Sequence, residues 1–480
     1  MINDLLSLLK IDNQSNLKIM KKNLIQFAIL LAFISITKAQ TNPGILSWIQ
    51  NNDGTTGRHY IAGNSTPIED DVLANVQSVD YSNNWVYVTA TGIPSYITGP
   101  FNDNNPSLAT NQNAIYRISL NPSQNTGTST NTNGGNIGIF INGVSLFDYR
   151  DGVAWDNNNN RLCGGPGNPN CAGGPMATQN WNRDAIPAEM DGFDCAKAHP
   201  AMGNYHHHQN PSAFNLDLLV VSDVCDTYPA DGLYVIDIDN HSPLIGFAYD
   251  GFPIYGAYAF ENTDGTGGIV RMKSSYSLRN ITVRVNGPDV GQVFTIPNGP
   301  NAGNQEVMDL GYFREDYEYL SNTNPDYLDE HNGRFAVTPE YPSGTYAYYA
   351  TVDTNHNSAY PYAVGPTFYG NVTGSKVNSI NQTTTNYDST LGLGDFDENS
   401  FNLKVYPNPA QDFIAIQSNL LNKKLKLELF NELGQVVLKS EILPASTLSI
   451  METHTLYNGI YFLKVSDHKN AKSYKIIIKK

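Results

Sequence analysis

The sequence predicts a mainly β protein, a large β-rich domain followed by a small C-terminal β-sandwich. Three observations point there. Tyr numbers 29 and Gly 40, among many Asn and Thr, a mixture that favours strands and turns over helices. No stretch carries the apolar spacing of a long amphipathic helix. The last 80 residues read as seven short strands separated by turns, the pattern of a small sandwich.

At 480 residues the chain exceeds one ordinary domain. Residues 1–39 read as a signal region. Met20-Lys21-Lys22 is basic, Leu24–Ile36 is apolar but short for a bilayer, and Thr37-Lys38-Ala39 offers a cleavage site before Gln40. Met20 is the better start. With no second apolar segment, the mature protein is expected not to span a membrane.

The main domain is expected over 41–370. Asn84–Ala90, Ala114–Leu120, Ile137–Ile141 and Val144–Phe147 are strand candidates, the last two joined by the hairpin signal Asn142-Gly143. Residues 156–175 have no apolar pattern and read as a loop, and Trp181–Ala188 as a short helix. Leu216–Ser222, Leu233–Ile238 and Leu244–Ala248 read as buried strands, Ile281–Val285 and Gln292–Ile296 as weaker ones, and Gly344–Thr351 as an alternating one. Residues 371–400 lack apolar content and read as a linker. In the tail, 401–480, the expected strands are Leu403–Tyr406, Phe413–Gln417, Lys424–Phe430, Gln435–Lys439, Thr447–Ile450, Gly459–Val465 and Ser473–Lys479.

Charge is unevenly spread. Residues 41–400 hold 13 Lys+Arg against 37 Asp+Glu, a net −24, whereas 401–480 carry +5. So acidic a surface repels phosphate backbones and anionic membranes, which argues against a nucleic-acid partner. Export permits disulfides, and four cysteines allow three pairings. Sequence order favours Cys163–Cys171 and Cys195–Cys225. The second would contribute about 3–4 kcal/mol by loop closure. Without a C-x-x-C pair, metal ligation by these cysteines is the weaker alternative.

Chemistry concentrates in residues 191–256, which contain His199, His206, His207, His208 and His241. If Tyr205–His208 is extended, His206 and His208 project from one face and Tyr205 and His207 from the other. Two imidazoles at i and i+2 suit a divalent metal, zinc or copper ahead of calcium. His199, His241 or a carboxylate such as Asp250 could complete the set, as could Glu330. The alternative is a hydrogen-bonded polar core. Asp250 and Glu330 are also candidate general bases or acids, and Asp250 can equally cap its own turn.

Two family resemblances follow from longer strings. Val405-Tyr406-Pro407-Asn408-Pro409, ELFNELGQVV around Gly434, LYNGIYFLKV around Gly459 and Tyr461, and the terminal SYKIIIKK together make the tail similar to the C-terminal sorting domain of the type IX secretion system of Bacteroidetes-type bacteria. That resemblance implies an Ig-like fold, the secretion machinery as partner, passage via the periplasm and outer membrane, and release or surface attachment. Val88–Phe101, Ile139–Phe147, Trp181–Ala185, Ile245–Gly256 and Leu328–Tyr346, with Tyr205–His208 among them, make residues 85–350 resemble the YHYH domain of secreted proteins. His207 stands where the name has Tyr, and His331 where a Cys is expected. This resemblance groups residues without naming a reaction.

Three functions are therefore open. The first is a secreted metal-binding domain, with His206 and His208 as ligands beside His199 and Asp250. The second is a non-catalytic surface module for a polysaccharide or protein partner. The third, a metal-free hydrolase, finds no G-x-S-x-G or H-E-x-x-H string to support it.

Overall fold

The computed structural model describes residues 42–102, 107–165, 168–171, 179–298, 302–388, 403–418, 424–431, 435–443, 448–466 and 471–480. The signal region with its Ala39–Gln40 junction lies outside the described residues. The chain forms two compact units, dividing between Tyr387 and Asp388, and strands dominate both.

The first unit is built on an eight-stranded mixed sheet. Its order is Ala198–Ala201, Asn204–His207, Ser145–Phe147, Asn136–Phe140, Leu244–Ala248, Pro253–Tyr255, Thr345–Tyr349 and Gly333–Ala336. Leu244–Ala248 is buried along its whole length, which is why it reads as an unbroken apolar run rather than an alternating one. Val76–Tyr81, Trp85–Ala90 and Ala114–Ser119 form the middle of an antiparallel five-stranded sheet. Val79, Val86, Val88, Tyr116 and Ile118 share one core with Ile139, Leu146, Phe247, Ile254 and Tyr348 of the larger sheet. The turn at Asn142-Gly143 closes the expected hairpin. Gly143 has φ +83°, and a Cβ there would sit 2.6 Å from that of Ala90, so glycine satisfies both backbone and space.

Several expectations fail, each for a local reason. Leu216–Ser222 and Leu233–Ile238 are not strands, and Leu218, Val220, Val235 and Ile238 are exposed. Asp217 is drawn inward to Lys197, 2.6 Å away in a buried ion pair, which leaves the following apolar side chains facing out. Ile281–Val285 is irregular because Arg284 turns inward to a buried ion pair with Asp316 at 2.6 Å. Within 156–175, Arg161–Cys163 forms a short strand, paired with Ala154–Asp156. Trp181–Ala188 divides into a strand, Asn182–Asp184, and a helix, Ala185–Glu189. Asp184 ends the strand and caps the helix by accepting from the Ile186 N–H at 2.9 Å. The stretch read as a linker supplies Ser375–Val377 and Thr385–Tyr387, the two edge strands of the five-stranded sheet. Edge strands are held through backbone pairing on one side, so a polar sequence suffices.

Both expected disulfides are present, Cys163–Cys171 and Cys195–Cys225. The second unit matches its forecast closely. Leu403–Tyr406, Phe413–Ser418 and Leu448–Glu452 form one sheet, and Val436–Ile442, Leu425–Phe430, Gly459–Ser466 and Ala471–Ile478 the other. Ile414, Ile416, Leu427, Leu429, Leu463 and Ile476 fill the core between them. Alternation along Leu425–Phe430 places Leu425, Leu427 and Leu429 inward and Lys426 outward.

Candidate metal centre

A tight hairpin positions the histidines. Ala198–Ala201 pairs with Asn204–His207 so that His199 lies directly opposite His206. Met202 and Gly203 make the turn, both with positive φ, 47° and 84°, the conformation that matches strand twist in two-residue hairpins. A Cβ on Gly203 would meet the Thr110 hydroxyl at 2.2 Å. Opposed residues share a face, as do i and i+2, so His199, His206 and His208 come together. All three are buried, and each has a donor atom within 4.8 Å of those of the other two.

The rings are fixed from outside. His206 Nδ1 stands 2.8 Å from the Asn204 carbonyl, and His208 Nδ1 stands 2.7 Å from that of Asp148. A carbonyl only accepts, so each Nδ1 carries a proton and each Nε2 is turned into the space the rings share. Those two Nε2 atoms face each other at 3.0 Å. Phe147 stacks on His206 at 3.9 Å, and Phe193 meets His199 edge-on at 5.0 Å. Burial, then the charges of His208 and His199, holds His206 well below its ordinary pKa. It is therefore neutral, the form that ligates metals.

Glu189, at the end of the helix Ala185–Glu189, is the residue sequence reasoning missed. Its Oε2 lies 3.3 Å from Nε2 of both His199 and His208. That oxygen is buried and takes no hydrogen bond of good geometry. Burial opposes its charge, but the two imidazoles beside it hold the carboxyl well below the usual range. The only sequence signal was proximity, since Glu189 follows the Trp181–Ala185 string and precedes His199 by ten positions.

The other face of the strand is different. Tyr205 donates to Asp194 Oδ2 at 2.7 Å, and Tyr96 OH meets His207 Nε2 at 2.8 Å. Burial pushes His207 down to about 3 and Asp194 up to about 7. This is the hydrogen-bonded polar core weighed above, confined to one side.

Asp250 does not join the cluster. It lies past strand Leu244–Ala248, three strands from the histidine strand, and its Oδ2 accepts from Tyr348 OH at 2.5 Å and Gly370 N–H at 2.8 Å. It holds its own turn through the Phe252 N–H at 3.3 Å, while burial raises its carboxyl to about 6. Glu330 is exposed and pairs loosely with His331 at 3.8 Å, whose Nδ1 lies 2.6 Å from the Thr367 hydroxyl. His241 Nδ1 instead faces the Ser242 carbonyl at 2.8 Å.

A family model described as "YHYH protein" matches residues 115–360, just over half of the chain. A second, described as "Secretion system C-terminal sorting domain", matches residues 404–479. No curated protein matches. Among solved structures, the chain is similar to a DUF3244 family protein with an immunoglobulin-like β-sandwich fold from Bacteroides vulgatus, at 13% identity over 17% of this chain and 89% of that one, with a TM-score of 0.15. The sorting domain directs the protein through the type IX system to the outer cell surface or the extracellular space. No helix among the described residues is long and apolar enough to cross a membrane.

Proposed function

Since this chain belongs to the YHYH protein family and ends in a type IX sorting domain, we propose that it is an exported protein whose main domain binds a divalent metal ion through His199, His206 and His208. Zinc and copper fit the all-imidazole set. One observation carries the reading. Three buried imidazoles converge within 4.8 Å, and two of them turn Nε2 toward each other at 3.0 Å with each Nδ1 already committed to a carbonyl. Both nitrogens point at one spot, where a cation would take a bond from each in place of any proton held there. Nδ1–H donated to a carbonyl is also how ligating histidines are held and made more basic.

The test is elemental analysis of the purified chain after exchange into chelator-treated buffer, compared with a His206→Ala/His208→Ala variant. Stoichiometric zinc or copper in the first and background metal in the second is expected. Background metal in both, after incubation with either ion, refutes the reading.

A further inference from the structure

We infer that Glu189 is the fourth ligand of the histidine site and closes its coordination sphere, so that the bound ion is structural and has no position left for water. This rests on the metal-binding reading above and adds what that reading leaves open, the role of the carboxylate and of the metal.

The distances carry it. With metal–ligand bonds of about 2.0–2.1 Å, donors at the corners of a tetrahedron stand about 3.3 Å apart. His206 Nε2 and His208 Nε2 are 3.0 Å apart, while Glu189 Oε2 is 3.3 Å from Nε2 of His199 and of His208. Three edges of that figure are thus already drawn by the side chains. The Oε2 atom is itself buried without a hydrogen bond of good geometry, so its lone pairs are open to a cation. Three neutral imidazoles would leave a dication's full charge in a buried place, and one carboxylate halves it.

The connectivity gives the arrangement a purpose. Glu189 ends a helix that runs on from Asn182–Asp184, a strand of the three-stranded sheet with Arg150–Asp156 and Arg161–Cys163. The histidines belong to the eight-stranded sheet. An ion held by all four would tie the smaller sheet to the larger one, with ligands of zinc or cobalt type.

The full chain, stripped of metal and reloaded, is compared with Glu189→Gln, Glu189→Ala and the surface control Glu318→Gln. Glu189→Gln should weaken zinc binding by roughly a hundredfold, and Glu318→Gln should leave it unchanged. Zinc should raise Tm less in Glu189→Gln than in wild type, each measured against its own metal-free form, which separates ligation from a simple folding defect. Cobalt-loaded wild type should show the intense visible bands of a four-coordinate site, unmoved by azide. Cobalt in Glu189→Ala should give weaker bands that azide shifts. Equal zinc affinity in wild type and Glu189→Gln overturns the inference. So does a wild-type cobalt spectrum that azide moves, a measurement that needs no variant to fold. Wild type that binds no metal removes the histidine reading itself, a distinct outcome.

Discussion

Asp184 offers a pH test of the scaffold beneath the site. Its carboxyl is fully buried, accepts from the Ile186 N–H at 2.9 Å and the Tyr362 hydroxyl at 2.6 Å, and is pushed by burial from 3.8 up to about 7. Between pH 4 and 7 the folded chain therefore keeps a proton that the unfolded chain has released. Stability falls as pH rises wherever the native state holds more protons, by about 1.4 kcal/mol per pH unit for one group. Over the interval this contribution reaches about 4 kcal/mol against the wild type, and it is constant above pH 7. Asp184→Asn presents the same acceptor to Ile186 and a donor to Tyr362, with nothing to ionise. Urea unfolding of metal-free wild type and variant at half-unit steps from pH 4 to 8 reads the difference, in which all shared groups cancel. The gap should move in favour of the variant as pH rises and then level. A gap that is flat across the range would refute the burial argument.

Four further outcomes are expected. Replacing Cys195 and Cys225 together by Ala should lower stability by about 3–4 kcal/mol in urea titration, since the bond closes a 30-residue separation around the histidine hairpin. Gly143→Ala should lower it by about 2–4 kcal/mol, because the substitution meets both a φ of +83° and the Ala90 Cβ at 2.6 Å; a change below the error of the fit would show that the turn relaxes freely. N-terminal sequencing of the exported protein should begin at Gln40, and a chain truncated before Leu403 should be retained inside the cell envelope.

Legibility followed how locally each element is specified. The tail strands were readable because alternation within each, as in Leu425–Phe430, decides which side chains enter the core. Leu244–Ala248 was readable for a different local reason, an unbroken apolar run buried along its whole length. Leu216–Ser222 misled because its apolar content is real, and what turns it outward is a partner twenty positions away, Lys197 pulling Asp217 in. The polar strands at 375–377 and 385–387 were hidden because their neighbours supply the pairing. In the site, the i and i+2 geometry of His206 and His208 followed from extended backbone alone, and His199 from simple proximity. Asp250 was drawn elsewhere by Tyr348. Glu189 was missed because a helix placed it there, where a strand–helix junction at Asp184 was read as helix throughout.

The strand bearing His206 runs parallel to Ser145–Phe147, and the carbonyl that orients His208 belongs to Asp148, sixty positions earlier. The orientation of His208 is thus a property of a long crossover and not of the tripeptide, whereas that of His206 is set locally by the Asn204 carbonyl. A synthetic peptide spanning 199–208 would carry the same imidazoles, yet His208 would lack the carbonyl that orients it and the chain would have to be ordered on every encounter with an ion. The three-histidine arrangement consequently forms only after distant segments have closed, at the entropic expense that slows non-local β pairing. On the proposed reading, ion capture would be a late event of maturation, following collapse of the whole domain.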